Sequence, residues 1–274
     1  MARVIAPYLS SSLAQTVVVD NKPGANGVIG MQEMLRSPPD GNTVLHGSVS
    51  HLALNVAVVK NLPYDRRRDL MPIAGVSMTN HVFVVKSSFS AHTFWDFIAY
   101  AKQHAGLSVG YSTSLVQMQF AAMSKSAGVE LLPVPYKGTP ETLTDLLGGR
   151  LDATFLDPGT ALTQVKGGQV RALAVSSLKR NPLTPDWPAI SEALPGYDFS
   201  SWTASVGPVR MSRERVNEIN AAINGALKQQ AVVAKFAQGG LIPFIKTPNE
   251  LKALIDTETA KWMKLASEAN IRPE

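Results

Sequence analysis

The sequence predicts an α/β protein built as two lobes, and three observations predict it. Short β-branched or apolar runs alternate with amphipathic stretches at helical spacing, the rhythm of strand–helix–strand units. That alternation occurs as two separate series, one before and one after about residue 105. At 274 residues, with 45% hydrophobic and 17% charged residues, the chain is long enough for two packed lobes and too apolar for disorder.

Taken in order, the opening residues around Pro7 and Tyr8 have almost no apolar centre, so they read as part of a helix and not as a signal peptide. Val17-Val18-Val19 predicts a strand that Asp20-Asn21-Lys22-Pro23-Gly24 would stop. A helix over 27–35 follows, then the turn Pro38-Pro39-Asp40-Gly41 and a strand over 43–47, a parallel βαβ unit. Residues 81–85 predict a buried strand. Phe94, Phe97, Ile98 and Ala101 predict the inner face of a helix over 93–104. The second series then runs as strand 107–111, helix 117–127, strand 131–134, helix 139–147, strand 152–156, helix 158–166 and strand 171–176.

Ser212 predicts the cap of a helix that turns Val216, Ile219, Ile223 and Leu227 inward. Thr247-Pro248-Asn249-Glu250 predicts a capping box with proline at the first helical position, and that helix continues through Leu251, Ile255 and Trp262. These helices have no strands of their own and are expected to pack on the first lobe. The predicted division is residues 1–105 with 208–274 as one discontinuous lobe and 106–207 as the other.

Composition narrows the function. With no cysteine, thiolate metal sites, disulfides and cysteine nucleophiles are excluded. No apolar stretch approaches the ~18 residues a membrane span needs. The net charge is +5, but the basic residues are dispersed; the densest run, Arg66-Arg67-Arg68, is flanked by Asp65 and Asp69 and reads as a solvated turn. No aromatic RNA-binding strand or Cys/His finger is present, so nucleic acid is not an expected partner.

Sites of chemistry are as scarce. Gly24-Ala25-Asn26-Gly27-Val28-Ile29-Gly30 follows a predicted strand but lacks the G-x-G-x-x-G spacing that brings backbone to a pyrophosphate. His46, His51, His81, His92 and His104 have no metal-ligand spacing, and Gly47-Ser48-Val49-Ser50-His51 is no nucleophile elbow. No cofactor, metal or catalytic residue is expected. What recurs is small hydroxyl residues where strands hand over to helices: Ser48 and Ser50, then Ser112, Thr113 and Ser114. Hydroxyls and free N–H groups at helix starts suit a carboxylate, because the helix dipole favours negative charge there. Within that second cluster Ser114 is the expected helix cap, leaving Ser112 and Thr113 free. Asp157-Pro158 and Thr139-Pro140 each pattern as a cap followed by proline, so Asp157 reads first as a cap and second as a ligand contact.

A set of ordered segments carries a resemblance: residues 17–25, Pro39-Asp40-Gly41, Leu62-Pro63-Tyr64-Asp65, Val134-Pro135-Tyr136-Lys137-Gly138, Asp145-Leu146-Leu147-Gly148-Gly149 and Arg171-Ala172-Leu173-Ala174-Val175. Pro195-Gly196-Tyr197, Ser201-Trp202 and the terminal residues 269–274 extend it over essentially the whole chain. The sequence resembles the Bug (TctC-like) family, periplasmic receptors of tripartite tricarboxylate transporters. The resemblance implies a type II periplasmic-binding-protein fold with a ligand cleft between lobes, closing on a dicarboxylate, amino acid or aromatic acid. It also implies a monomer in the periplasm that serves the transporter's membrane components and is not an enzyme. Ser48, Ser50, Ser112, Thr113, Ser114 and Asp157 are the expected ligand contacts.

Two departures stand out. Members begin with a signal peptide, a first strand and a Pro-Gly-Gly ligand loop, whereas Met1 falls within their first helix; and the loop after Tyr111 is short. Weak ligand binding by the chain as given is therefore expected. The alternatives are a sensor or scavenger with the same fold and a nicotinamide-dependent oxidoreductase.

Overall fold

The computed structural model describes every residue except 23, 25, 26 and 269–274. Part of the glycine-containing segment 24–30 and the terminal segment 269–274 thus lie outside the described residues. The chain divides into two compact units, Met1–Met78 with Trp202–Glu274, and Thr79–Ser201.

The first unit opens with α1 (Ala2–Leu13) and α2 (Val28–Arg36), followed by β1 (Leu45–Ser48). A π-helical turn (Ser50–Leu54) runs into α3 (Asn55–Val58), and α4 (Arg66–Asp69) leads into β2 (Leu70–Thr79). Residues 17–19 do not form the expected strand: Val18 is 81% exposed, and the Val17 N–H donates to the Ser10 hydroxyl at 2.9 Å instead of a ladder. The expected parallel βαβ unit is therefore absent. β1 pairs antiparallel with a strand far downstream, β8 (Ser201–Pro208), Gly47 opposite Ala204.

The sheet order in this unit is β1-β8-β2-β9, where β9 is Ile242–Pro243. Its core is Ile5 of α1, Ile73 and Val76 of β2, Ile219 and Ile223 of α9 (Arg213–Leu227), and Val232 and Phe236 of α10 (Gln230–Gln238). Ser212 caps α9 through a bond from Arg215 N–H, and Thr247 with Glu250 forms the capping box that starts α11 (Pro248–Glu268). α11 packs on the π turn, α3 and α9, burying Leu251, Ile255 and Trp262. It is also tied to α4: Arg66 donates to Asp256 at 2.7 Å, which holds the Asp256 carboxyl down at about 2.

The second unit carries β3 (Val82–Lys86), α5 (Phe94–Gln103), β4 (Leu107–Tyr111), α6 (Ser114–Ala127), β5 (Leu131–Pro135) and α7 (Thr139–Leu147). It continues with β6 (Ala153–Leu156), α8 (Pro158–Lys166) and β7 (Val170–Val175). The sheet order is β5-β4-β6-β3-β7. β4 runs parallel to β5 and β6, while β3 runs antiparallel to both β6 and β7. Hence β4, β5, β6 and β7 share one direction, and the amino end of β3 joins their carboxyl ends at one edge.

The sheet buries both faces. Val82 and Val84 point to a cluster with Leu146, Leu151 and Ala161. The next residue along, Phe83, points the other way and meets Phe94, Phe97, Phe120 and Phe155 at ring separations of 4.8–6.3 Å. This pairing corrects the predicted boundary. Residues 79–105 belong to the second unit and not to the first, because β3 finds its partners in β6 and β7. Residues 202–207 belong to the first, because β8 does.

Candidate functional site

In the first unit the candidate residues sit where β1 gives way to the π turn. The Ser48 N–H donates to His51 Nδ1 at 3.0 Å. A backbone N–H donates only, so Nδ1 is an acceptor and the neutral ring carries its proton on Nε2. Burial holds the His51 pKa below its ordinary value, which keeps that neutral form. The Ser48 hydroxyl lies 3.2 Å from the same nitrogen. Behind the ring stands Gly27, in the left-handed region at φ 79°, and a Cβ there would collide with the His51 ring. The His51 carbonyl accepts from Tyr64 Oη at 2.6 Å. Ser50 starts the π turn and has no side-chain partner among the described residues, so its hydroxyl is free to meet a ligand.

His46, two residues before Ser48 on the same face of β1, is unusual. Both ring nitrogens are shielded from water and have no partner among the described residues. Desolvation, reinforced by the Met1 amine and His51, lowers its pKa to about 4.

In the second unit the candidates lie along the shared strand edge. β4 ends at Tyr111 and α6 begins at Ser114, with Thr113 as N-cap: its Oγ1 accepts from Val116 N–H at 3.3 Å. This reverses the expected division of labour, in which Ser114 was the cap. The Ser112 and Ser114 hydroxyls have no partner among the described residues, and both are half-buried. Thr113 has the extended backbone that aims its oxygen at the first turn (φ −141°, ψ 152°).

Asp157 caps α8 as its first reading required. It accepts from Thr160 N–H at 3.0 Å and Thr160 Oγ1 at 2.6 Å. Thr139, by contrast, is not a cap; Gly138 holds that position and Thr139 is the first helical residue.

Sequence reasoning passed over the polar groups behind this edge. His81 precedes β3 and so comes to the carboxyl ends of β6 and β7, where its N–H donates to Ser176 Oγ at 2.9 Å. Its Nδ1 meets the side-chain amide of Gln119, which is fully buried within α6. The signal was present, a histidine heading an apolar strand, but nothing local says that the strand runs against its neighbours.

The structure thus brings Ser112, Thr113, Ser114 and Asp157 to one sheet edge in the second unit, while Ser48 and Ser50 lie in the first. Among the described residues no group of three or more His, Asp or Glu side chains converges as a metal site would require, and no helix is long and apolar enough to cross a membrane. A 610 Å³ pocket lies elsewhere in the first unit, between Val59, Tyr64, Arg66, Arg67 and Met263. Its charges largely neutralise one another, Arg66 with Asp256 and Arg68 with Asp69.

Solved structures place this architecture in a class. The chain superposes on Rpa4515 of R. palustris, determined with adipate, at a TM-score of 0.89 and 30% identity over 100% of this chain and 93% of that one. It superposes on the periplasmic binding protein BugD at 0.83 and 27% identity, covering 100% and 93%. The fold is that of the periplasmic solute-binding proteins.

Within that class, the model of the tripartite tricarboxylate transporter family receptor (TctC) matches residues 1–271, and the chain belongs to this family. Among relatives, a UPF0065 protein from the tcbD-tcbE intergenic region of Pseudomonas sp. (strain P51) is 34% identical over 275 residues, 98% of this chain and 81% of that protein. Family and neighbours are receptors, which leaves the nicotinamide-dependent alternative without support.

Proposed function

We propose that this protein is a non-catalytic periplasmic receptor that binds a small organic carboxylate as a monomer and delivers it to the membrane components of a tripartite tricarboxylate transporter. The observation that carries the reading is the start of α6. A fourteen-residue helix presents its amino end at the shared strand edge, Thr113 caps it, and two half-buried serine hydroxyls beside the cap have no partner among the described residues. Unpaired donors at a helix start favour an anion through both hydrogen bonding and the dipole. Ser48 and Ser50 offer hydroxyls in the other unit, that of Ser48 within reach of His51 Nδ1, and Asp157 serves chiefly as a cap. Adipate in the Rpa4515 structure favours a diacid among the carboxylates.

Native mass spectrometry and calorimetry with a panel of linear diacids test the reading. One acid is expected to bind per chain, with a Ser112→Ala, Ser114→Ala double variant binding it about tenfold or more weakly, the loss of hydrogen bonds to a charged group. Full affinity in that variant would move the site away from α6. Failure of every carboxylate to bind would reject the receptor reading.

A further inference from the structure

The strand edge that the proposed function uses contains one side chain that function has not yet absorbed. His81 sits at the amino end of β3, the strand that runs against its neighbours, so by register it lies beside Asp157 at the end of β6 and Ser176 at the end of β7. Its main chain is fixed by the bond to Ser176, whose own hydroxyl donates to the Phe199 carbonyl at 3.2 Å. Its ring lies 6.5 Å from that of Phe155. The ring is therefore held from behind and from one side.

Gln119 completes the hold. Its amide nitrogen and oxygen lie 3.1 and 3.2 Å from His81 Nδ1, and its backbone carbonyl accepts from the buried Tyr197 hydroxyl at 3.0 Å. One amide atom serves Nδ1 at a time, the nitrogen by donating to it or the oxygen by accepting from it. With the amide nitrogen donating to Nδ1, the proton of the neutral ring resides on Nε2. His81 is half-buried, and that second nitrogen has no partner among the described residues. Burial lowers the His81 pKa, which keeps the ring neutral. Gln119 is itself part of α6, the helix whose amino end carries Ser112, Thr113 and Ser114, so the donor and the hydroxyls are braced on one element.

We propose that the Gln119 amide nitrogen donates to His81 Nδ1 and that His81 in turn donates from Nε2 to a second oxygen-bearing group of the ligand, and so selects diacids over acids of the same length with an apolar tail. The inference rests on the receptor reading of the same edge. It names the discriminating group, which an apolar residue heading β3 would not supply. Asp157 is close by, but its carboxylate only accepts, and it accepts from Thr160. Gln119 is a positioning residue.

Adipate and hexanoate form the matched test, six carbons each with and without the second carboxylate. The unsubstituted chain is expected to prefer adipate. His81→Phe should cut that preference about tenfold or more while leaving hexanoate binding unchanged, and His81→Gln, whose amide reaches the Nε2 position, should restore part of it. A preference that His81→Phe leaves intact overturns the inference and leaves the receptor reading standing. Binding of neither acid, nor of any other carboxylate, rejects the receptor reading and this inference with it. Should His81→Phe fail to fold, side-chain ¹⁵N spectra of the unsubstituted protein decide: adipate is expected to shift the His81 Nε2 resonance and hexanoate not to, and an Nε2 signal indifferent to both overturns the proposal. In Gln119→Leu the two ring-nitrogen resonances should move toward a tautomer mixture, which loss of packing alone would not produce.

Discussion

Thr113 shows how one residue's role changes once the helix start is located. As a loop residue it would tolerate replacement by valine with no loss of stability, yet its hydroxyl caps α6. Thr113→Val is expected to cost about 1 kcal/mol, whereas Thr113→Ser should cost little. Urea unfolding of the two variants separates cap from bystander, and equal midpoints would sink the assignment. His46 makes the complementary case for a buried imidazole. Its folded pKa of about 4 lies below the ordinary 6.5, so the unfolded chain takes up a proton that the folded chain refuses. Stability from this group is complete above pH 6.5, falls by about 1.4 kcal/mol per pH unit on acidification, and is fully lost near pH 4. His46→Phe should therefore remove close to one proton's slope between pH 6 and 4.5 in denaturation series; an unchanged slope would show that the ring reaches water.

At the scale of elements, β2 shows a close approach that only glycine permits. A Cβ on Gly75 would meet the carbonyl oxygen of Phe244, a backbone atom that cannot swing aside. Phe244 N–H donates to Val76 O at 3.1 Å, and Ser77 pairs with Pro243 in β9. Gly75→Ala is expected to push β9 off the sheet edge at a cost of about 2–3 kcal/mol. Hydrogen exchange at the Phe244 amide should accelerate in parallel, and unaltered protection there would refute the mechanism. The capping elements were open to inspection in the sequence. Ser212, Asp157 and the Thr247–Glu250 box are short-range arrangements whose donors and acceptors lie within three residues, so residue type and spacing suffice to find them. The valine run at 17–19 has the residue types of a strand but no neighbour to pair with, and strand formation requires one.

At the scale of the molecule, the second unit is a continuous piece of chain, residues 79–201, with its own five-stranded sheet and both faces covered. Expressed alone, that fragment should give dispersed amide resonances and one cooperative urea transition. A broad, gradual transition would mean that the unit borrows its stability from the rest of the chain. The first unit is discontinuous, and its sheet needs β8, which follows the whole second unit in the sequence, so residues 1–78 alone are expected to remain unfolded.

The sequence by itself determined the α/β class, the second series of strands and helices, the helix starts at Asp157, Ser212 and Thr247 and, through its ordered segments, the family. Each of these rests on local periodicity, capping chemistry or residue order. Tertiary structure alone decided that β3 joins β6 and β7, that β1 pairs antiparallel with β8, and that His81 and Gln119 meet behind the end of β4. Those facts depend on which distant strands share a ladder, and a period-two apolar run carries the same pattern whichever partner it finds and whichever direction it runs. That is why the hydroxyl cluster at the start of α6 was legible from residue types, while the histidine that we propose reads the ligand's second end was not.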